Sequence, residues 1–285
     1  MPDTGLLVRA VSSFYYVDVG ETVLCCRARG RLRLDGTDPL PGDRVRLQGQ
    51  VVTGVEPRVN AFVRPGVANV DRIVFVASGA RPETDPYLID KMSVVARSAG
   101  AAFLLCLNKT DLKPADALYA DYRRAGVPVL RTSAATGEGI PELSELLRDG
   151  ISVLTGNSGV GKSSLLNLLI PGLNAVTAEI SPKHGRGRHT TRHTELCRLP
   201  GGGWCADSPG FAVLDLNLLL PVKPEALADC FPEFPAGVCR FPDCRHGKEP
   251  DCAVRAAVEA GEIPEGRYRS YIRMLRELQH PERSR

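Results

Sequence analysis

Apolar residues along this chain follow three kinds of spacing in turn. Up to about residue 66 they alternate with polar ones. In "CRARGRLRL", residues 26–34, Arg27, Arg29, Arg31 and Arg33 share one strand face, and Ala28, Leu32 and Leu34 share the other. "PGD" at 41–43 marks a turn, and "RVRLQGQVV" resumes the alternation. Short strands between Gly-rich turns in so small a unit predict a β-barrel over residues 1–66. From 67 to about 215 the apolar residues gather into runs: "RIVFVAS" (72–78), "AFLLCLN" (102–108), "VPVLRTS" (127–133) and "ISVLTG" (151–156). Helical stretches such as "YLIDKMSVVARSAG" and "PELSELLRDG" lie between them. Strands alternating with helices predict a mostly parallel sheet covered on both faces. The last segment, 216–285, carries cysteines and then "YRSYIRMLRELQ" (268–279). Apolar or aromatic residues at 268, 271, 272, 275 and 278 there predict a helix. The expectation is a multidomain α/β chain without internal repeats or low-complexity linkers.

Composition narrows the class. The 285 residues suffice for two or three domains, and 43 % hydrophobic with 24 % charged residues is ordinary for a soluble protein. No apolar run approaches a membrane span, and "MPDTGLLVRAVSS" lacks the basic start and long apolar stretch of a signal peptide. A cytoplasmic monomer with no membrane partner is expected. Nine cysteines, an odd number and mostly within apolar runs, argue against a disulfide framework. A net charge of +3 says little about partners, but its distribution says more. "KHGRGRHTTR" (183–192) has four Lys or Arg, two His and no acid, and Arg267–Arg285 holds six Arg. Such patches can meet phosphate backbones or can be solvated faces. The four-arginine face of the first segment likewise fits an oligonucleotide-binding barrel, or a strand with arginines turned outward for solubility.

Nucleotide chemistry is written most densely. Residues Gly156, Asn157, Ser158, Gly159, Val160, Gly161, Lys162 and Ser163 match G-x-x-x-x-G-K-[ST], between an apolar strand and the helix-like "SLLNLLI" that Ser164 opens. Backbone N–H groups there can close around phosphates, Lys162 can reach the β- and γ-phosphates, and Ser163 can supply a hydroxyl to Mg²⁺. "NKTD" (Asn108, Lys109, Thr110, Asp111) ends a strand, where α/β ligand sites form. The Asp111 carboxylate can accept from N1–H and the 2-amino group of guanine, a donor pair that adenine lacks. Lys109 can lie along the base, and Asn108 can tie this loop to the phosphate loop. "TSA" at 132–134 places Ser133 and Ala134 backbone near the guanine O6. "DSPG" (207–210) fits D-x-x-G, with Asp207 toward Mg²⁺ and the Gly210 N–H toward the γ-phosphate. In "HTTR" (189–192), Thr191 is the expected ligand of Mg²⁺ and γ-phosphate, although 183–192 also reads as a plain basic loop. The base-reading loop precedes the phosphate loop, the reverse of the usual order. The site is a set of loops at one sheet edge, so strand positions can be kept while the termini move. The expectation is a circularly permuted P-loop GTPase domain over 67–215 that binds GTP and GDP.

Hydrolysis should be slow in the free protein. Many GTPases place Gln after D-x-x-G to orient the attacking water, and Phe211 stands there instead. His189 is the candidate water-positioning group beside Lys162 and Thr191, with His184 second.

"CRFPDCRHGKEPDC" contributes Cys239, Cys244, His246 and Cys252. Three thiolates and one imidazole make a closed tetrahedral set for one structural Zn²⁺ per chain. Cys230 is a rival ligand with poorer spacing, and buried unliganded cysteines are the plainer reading. A metal here would staple a small, loop-rich domain over 216–285 and present the basic helix 268–279 to RNA.

Together "RPGVANVD" (64–71), "NKTD", "GNSGVGKSS", "GRGRHTTR", "DSPGF" and the Cys/His cluster resemble the bacterial ribosome small subunit-dependent GTPase A family over nearly the whole chain. The resemblance implies an N-terminal OB-type barrel, a permuted GTPase domain and a C-terminal zinc-binding helical domain. It also implies late maturation of the small ribosomal subunit, with that subunit and its rRNA as partners and as stimulators of GTP hydrolysis. Two other readings stand beside it: an RNA-binding chaperone that holds GTP without turning it over, and a GTPase acting in tRNA modification.

Overall fold

Alternation in the first segment closes on itself. The computed structural model describes residues 3–28, 38–63, 66–173, 194–207, 222–235 and 237–279. Its first strands are β1 (Thr4–Val11), β2 (Phe14–Asp18), β3 (Val23–Ala28), β4 (Arg44–Gln48) and β5 (Val51–Val55). They form a closed barrel in the order β1-β2-β3-β5-β4, with β4 pairing back on β1. The β3–β5 pair is parallel and the others antiparallel. This closed five-stranded barrel is of the OB type. Leu7, Tyr15, Val17, Cys26, Val45, Leu47 and Val52 fill it, one from every second position. Arg27, Arg44 and Arg46 stand outside and exposed. Arg29, Arg31 and Arg33 lie outside the described residues.

The segment after the barrel is knotted by side-chain amides. Hairpin strands β6 (Ala61–Val63) and β7 (Gly66–Ala68) pair antiparallel. Asn69 Nδ2 donates to the Gly42 carbonyl at 2.9 Å, and its Oδ1 accepts from Val59 N–H at 2.8 Å. Asn60 exchanges two bonds with the Val70 backbone, at 2.9 and 2.8 Å. Buried Asp43 takes a bidentate grip from Arg58, at 2.7 and 2.8 Å. Gly42, at φ +95°, is obligatory, because a Cβ there would strike the Ala68 carbonyl.

Further along lie β8 (Arg72–Ser78), α1 (Pro86–Ser98), β9 (Ala102–Asn108), α2 (Asp116–Arg124), β10 (Val129–Arg131), α3 (Ile140–Leu146), β11 (Ile151–Thr155), α4 (Lys162–Leu169), β12 (Leu196–Arg198) and β13 (Trp204–Asp207). Asp85 caps α1 by accepting from Tyr87 N–H at 3.0 Å, with Pro86 in the first turn where a missing N–H costs nothing. Strand β10 is shorter than the apolar run 127–133. Pro128 has no N–H for a ladder, and Ser133 already turns, its N–H donating to the Glu138 carbonyl at 3.0 Å.

The chain divides into two compact units, Met1–Ile73 with Ile140–Thr155 and Gly161–Ala212, and Val74–Gly139 with Gly156–Val160 and Val213–Arg285. In the first, β11 runs parallel to β13 and β12 antiparallel to β13. The start of β8 lies along β11: Asp71 N–H donates to the Ile151 carbonyl at 2.9 Å, and Asp71 Oδ2 accepts from Ile151 N–H at 2.7 Å. In the second, β8, β9 and β10 are neighbours in that order, and β9 and β10 are parallel.

The second unit also holds two short 3-10 turns, Pro224–Ala226 and Ala228–Cys230, then α5 (Ala253–Glu259) and α6 (Glu265–Gln279). Helix α6 is fastened to α1 by a buried arginine. Arg267 donates to Glu233 through Nε at 2.7 Å and Nη2 at 3.1 Å, and through Nη1 to Asp90 at 2.7 Å. Asp90 also accepts from the Tyr122 hydroxyl at 2.7 Å. Burial opposes the charge on Arg267, but the two carboxylates more than offset it and raise its pKa further. Among the described residues no helix is long and apolar enough to cross a membrane.

Candidate nucleotide site and metal centre

Strand β9 delivers Asn108, 2 % exposed, to a junction of three loops. Its Nδ2 donates to the Val160 carbonyl of the phosphate loop at 2.8 Å. Its Oδ1 accepts from Ala134 N–H and from Thr132 Oγ1, each at 3.2 Å. The Cys106 thiol stands 3.2 Å from Thr132 Oγ1, and burial pushes its pKa up to about 12, so it stays protonated and can donate. Lys109 adopts a left-handed φ of +65° and sends Nζ to the Arg81 carbonyl at 3.0 Å. Thr110 Oγ1 lies 2.9 Å from the Thr132 carbonyl and 3.0 Å from Glu138 Oε2. Asp111 is exposed, and its Oδ1 accepts from Ser133 Oγ at 2.6 Å. Two clasps, Asp111–Ser133 and Thr110–Glu138, therefore hold NKTD against the "TSA" turn.

The phosphate loop leaves β11, buried along its length. Gly156 has φ +139°, and a Cβ there would collide with the Val76 carbonyl of β8, so only glycine lets the loop pass. Asn157, exposed Ser158 and Gly159 form the bend, and Val160 is buried. Gly161, at φ +99°, caps α4, which begins with Lys162, Ser163 and Ser164. Backbone N–H groups at a helix start favour an anion.

In the second unit the fold thus brings together Asn108, Lys109, Thr110, Asp111, Ser133, Ala134 and the bend 156–160. Lys162 and Ser163 follow directly on α4. Asp207 ends β13, paired in register with Leu154. Gly210, Phe211, His184, His189 and Thr191 lie outside the described residues. Pattern reading did not single out Glu138 or Arg81. The Gly-flanked Glu138 just after "TSA" was the available signal for the first.

Cys239, Cys244, His246 and Cys252 form one cluster, their four ligand atoms within 4.8 Å of one another. His246 Nδ1 lies 3.5, 3.6 and 3.5 Å from the sulfurs of Cys239, Cys244 and Cys252, and the Cys239 and Cys252 sulfurs are 4.0 Å apart. A tetrahedron with metal–sulfur and metal–nitrogen bonds of roughly 2.3 and 2.0 Å has edges of about 3.8 and 3.5 Å. The donor set fits a metal ion in both chemistry and spacing. Burial lowers the His246 pKa, only partly opposed by Glu249, a shift toward the neutral imidazole that ligation needs. Burial alone would raise the Glu249 carboxyl, yet backbone N–H donors, including Arg245 and Gly247, hold it below the usual range. Outer contacts brace the loop: Tyr268 donates to the His246 carbonyl at 2.8 Å and Tyr271 to the Arg245 carbonyl at 2.7 Å. Cys230 is not in the cluster. It donates to the Ala226 carbonyl at 3.7 Å, and burial pushes its pKa up to about 11.

Comparison with known proteins agrees with this geometry. The family model described as RsgA GTPase matches residues 55–217, and that of the RsgA N-terminal domain matches residues 4–53. The chain is 43 % identical to a protein of Carboxydothermus hydrogenoformans named small ribosomal subunit biogenesis GTPase RsgA, over 98 % of this chain and 99 % of that one. It is 45 % identical to the protein of the same name from Moorella thermoacetica, again over 98 % and 99 %. Among solved structures, YjeQ from Thermotoga maritima superposes with a TM-score of 0.82 at 37 % identity, covering 97 % of this chain and 98 % of that one. YloQ, described as a circularly permuted GTPase, superposes with a TM-score of 0.81 at 32 % identity, covering 98 % and 96 %.

Proposed function

The chain belongs to the RsgA GTPase family, and from that premise we propose that it hydrolyses GTP to GDP and phosphate in small ribosomal subunit biogenesis, slowly alone and faster on the subunit. The observation that carries the reading is the bond from Asn108 to Val160, which joins a guanine-type loop to a phosphate loop lying later in the chain. In this account Asp111 selects guanine and Lys109 flanks the base. Backbone N–H groups of 156–163 and the Lys162 ammonium neutralise the phosphates. Mg²⁺ bound with GTP screens charge developing on the phosphates during transfer. Ser163 and Thr191 are the residues to hold it, with Asp207 close by in the motif. His189 orients the attacking water in place of the glutamine that Phe211 replaces.

The Cys239–Cys244–His246–Cys252 set takes Zn²⁺. With four protein donors no position is left for substrate, so the ion is structural. The N-terminal segment 1–66, whose barrel carries exposed Arg27, Arg44 and Arg46, and the zinc-bearing segment 216–285 are the two RNA-facing modules, before and after the GTPase domain 67–215 in the chain. Arg9 over Tyr16 at 4.1 Å and Arg27 over Phe14 at 5.2 Å pair cations with rings on the barrel, chemistry suited to bases and phosphates. The protein works as a cytoplasmic monomer.

Co-sedimentation tests the partner. With a non-hydrolysable GTP analogue the full chain should pellet with purified small subunits and not with large ones. Equal recovery with both, or with neither, would remove the ribosomal half of this reading.

A further inference from the structure

The loop between β8 and α1, residues 79–85, has no role in the account above, yet it is held with unusual care. Buried Ser78 and Thr84 close its base: Ser78 N–H donates to Thr84 Oγ1 at 3.0 Å, and Thr84 N–H to the Ser78 carbonyl at 2.9 Å. Ser78 Oγ also engages Ala80, accepting from its N–H at 3.0 Å and donating to its carbonyl at 3.1 Å. The loop is tied to NKTD by Lys109 Nζ on the Arg81 carbonyl at 3.0 Å, and just beyond NKTD by an exposed pair, Lys113 on Glu83 at 3.1 Å. On its other side it runs beside the phosphate loop, close enough that a Cβ on Gly159 would stand 3.4 Å from Pro82. Arg81 therefore sits on a fixed backbone between the base-reading loop and the bend of the phosphate loop. Its guanidinium is exposed and has no hydrogen-bond or ion-pair partner among the described residues.

We propose that Arg81 is a further nucleotide-binding residue, whose guanidinium pairs with the diphosphate of the bound guanine nucleotide. The inference rests on the reading that this site holds GTP or GDP. Lys109, whose ammonium is bonded to Arg81, marks the base and ribose end, while Gly159, beside Pro82, marks the phosphate cradle. The Arg81 backbone, held between them, lies beside the stretch where the α- and β-phosphates of a bound nucleotide would run. The planar guanidinium fork suits phosphate oxygens, and a backbone held by the loop's own hydrogen bonds loses little freedom on binding. The γ-phosphate is left to Lys162 and the switch segments. Arg81 thus strengthens binding of GTP and GDP alike and leaves the chemical step untouched.

The test compares Arg81→Ala, Arg81→Lys and Asp111→Asn in the full chain, titrated with GTP, GDP and, by competition, guanosine. Arg81→Ala is expected to weaken GTP and GDP equally, by about tenfold, to spare guanosine, and to leave kcat unchanged. Arg81→Lys should recover part of the loss, since it keeps the charge but not the fork. Unchanged GDP affinity in Arg81→Ala overturns the proposal. If binding to small subunits weakens instead, the arginine serves RNA. Equal losses for guanosine and GDP also overturn it, because they mark a structural role in the loop. If Asp111→Asn too leaves GDP binding intact, the guanine-site reading itself has failed and the proposal falls with it.

Discussion

Asn108 and Val160, 52 positions apart, meet through a 2.8 Å bond from the amide Nδ2 to the backbone carbonyl. The same side chain accepts from Ala134 and Thr132, so one buried amide joins three loops. Replacing it by alanine leaves the buried Val160 carbonyl without its partner, at about 1–3 kcal/mol, and the half-buried Ala134 N–H without its own at a smaller cost. Asn108→Ala should weaken GTP binding by about tenfold to a hundredfold while the protein stays folded, as measured by fluorescent-nucleotide titration and circular dichroism. Wild-type affinity would show that the junction forms without the amide.

Guanine selection tests the NKTD assignment separately. Asp111 is exposed toward solvent with one oxygen held by Ser133. In Asp111→Asn the amide can donate to the 2-oxo group of xanthine, so GTP binding should be lost and xanthosine triphosphate binding gained. Retained GTP preference would mean that another group reads the base.

For the metal, elemental analysis of protein purified without chelator should find one zinc per chain. Cys244→Ala should lose protease resistance in 216–285 while GTP affinity stays near normal. Metal-free protein with an intact C-terminal segment would contradict a structural ion.

The Asp90–Arg267–Glu233 network makes a stability prediction. All three side chains are at most 3 % exposed. Arg267→Ala abandons two buried carboxylates, a loss of about 3–5 kcal/mol. Denaturant unfolding should register it, with α6 exchanging amide protons faster. A change under about 1 kcal/mol would mean that water reaches the site.

The layout was legible where chemistry and spacing are local. Strands β8 and β9 match their apolar runs end to end, because buried parallel strands are written as continuous hydrophobic stretches. The loop 156–163, NKTD and the Cys/His cluster stood out in the sequence because each motif is a set of fixed residue types at short range, and the structure brings 156–160 to NKTD and gathers the four Cys/His ligands. The α1–α6 fastening was not. Arg267 and Asp90 are 177 residues apart, and each alone reads as a solvated charge on an amphipathic helix. The Asn60–Asn69 knot and the Thr110–Glu138 clasp were equally hidden, since an amide, a hydroxyl or a carboxylate in a loop has too many ordinary uses.

Steady-state GTP hydrolysis by the full chain tests subunit-stimulated turnover most directly. The rate is measured alone, with purified small subunits and with large subunits, for the wild type and for His189→Ala. With Phe211 in place of the glutamine, the free protein should be slow. Small subunits should raise the rate by roughly a hundredfold, large subunits should not, and His189→Ala should lose most of the stimulation while keeping GTP affinity. A rate unaffected by small subunits would contradict the account.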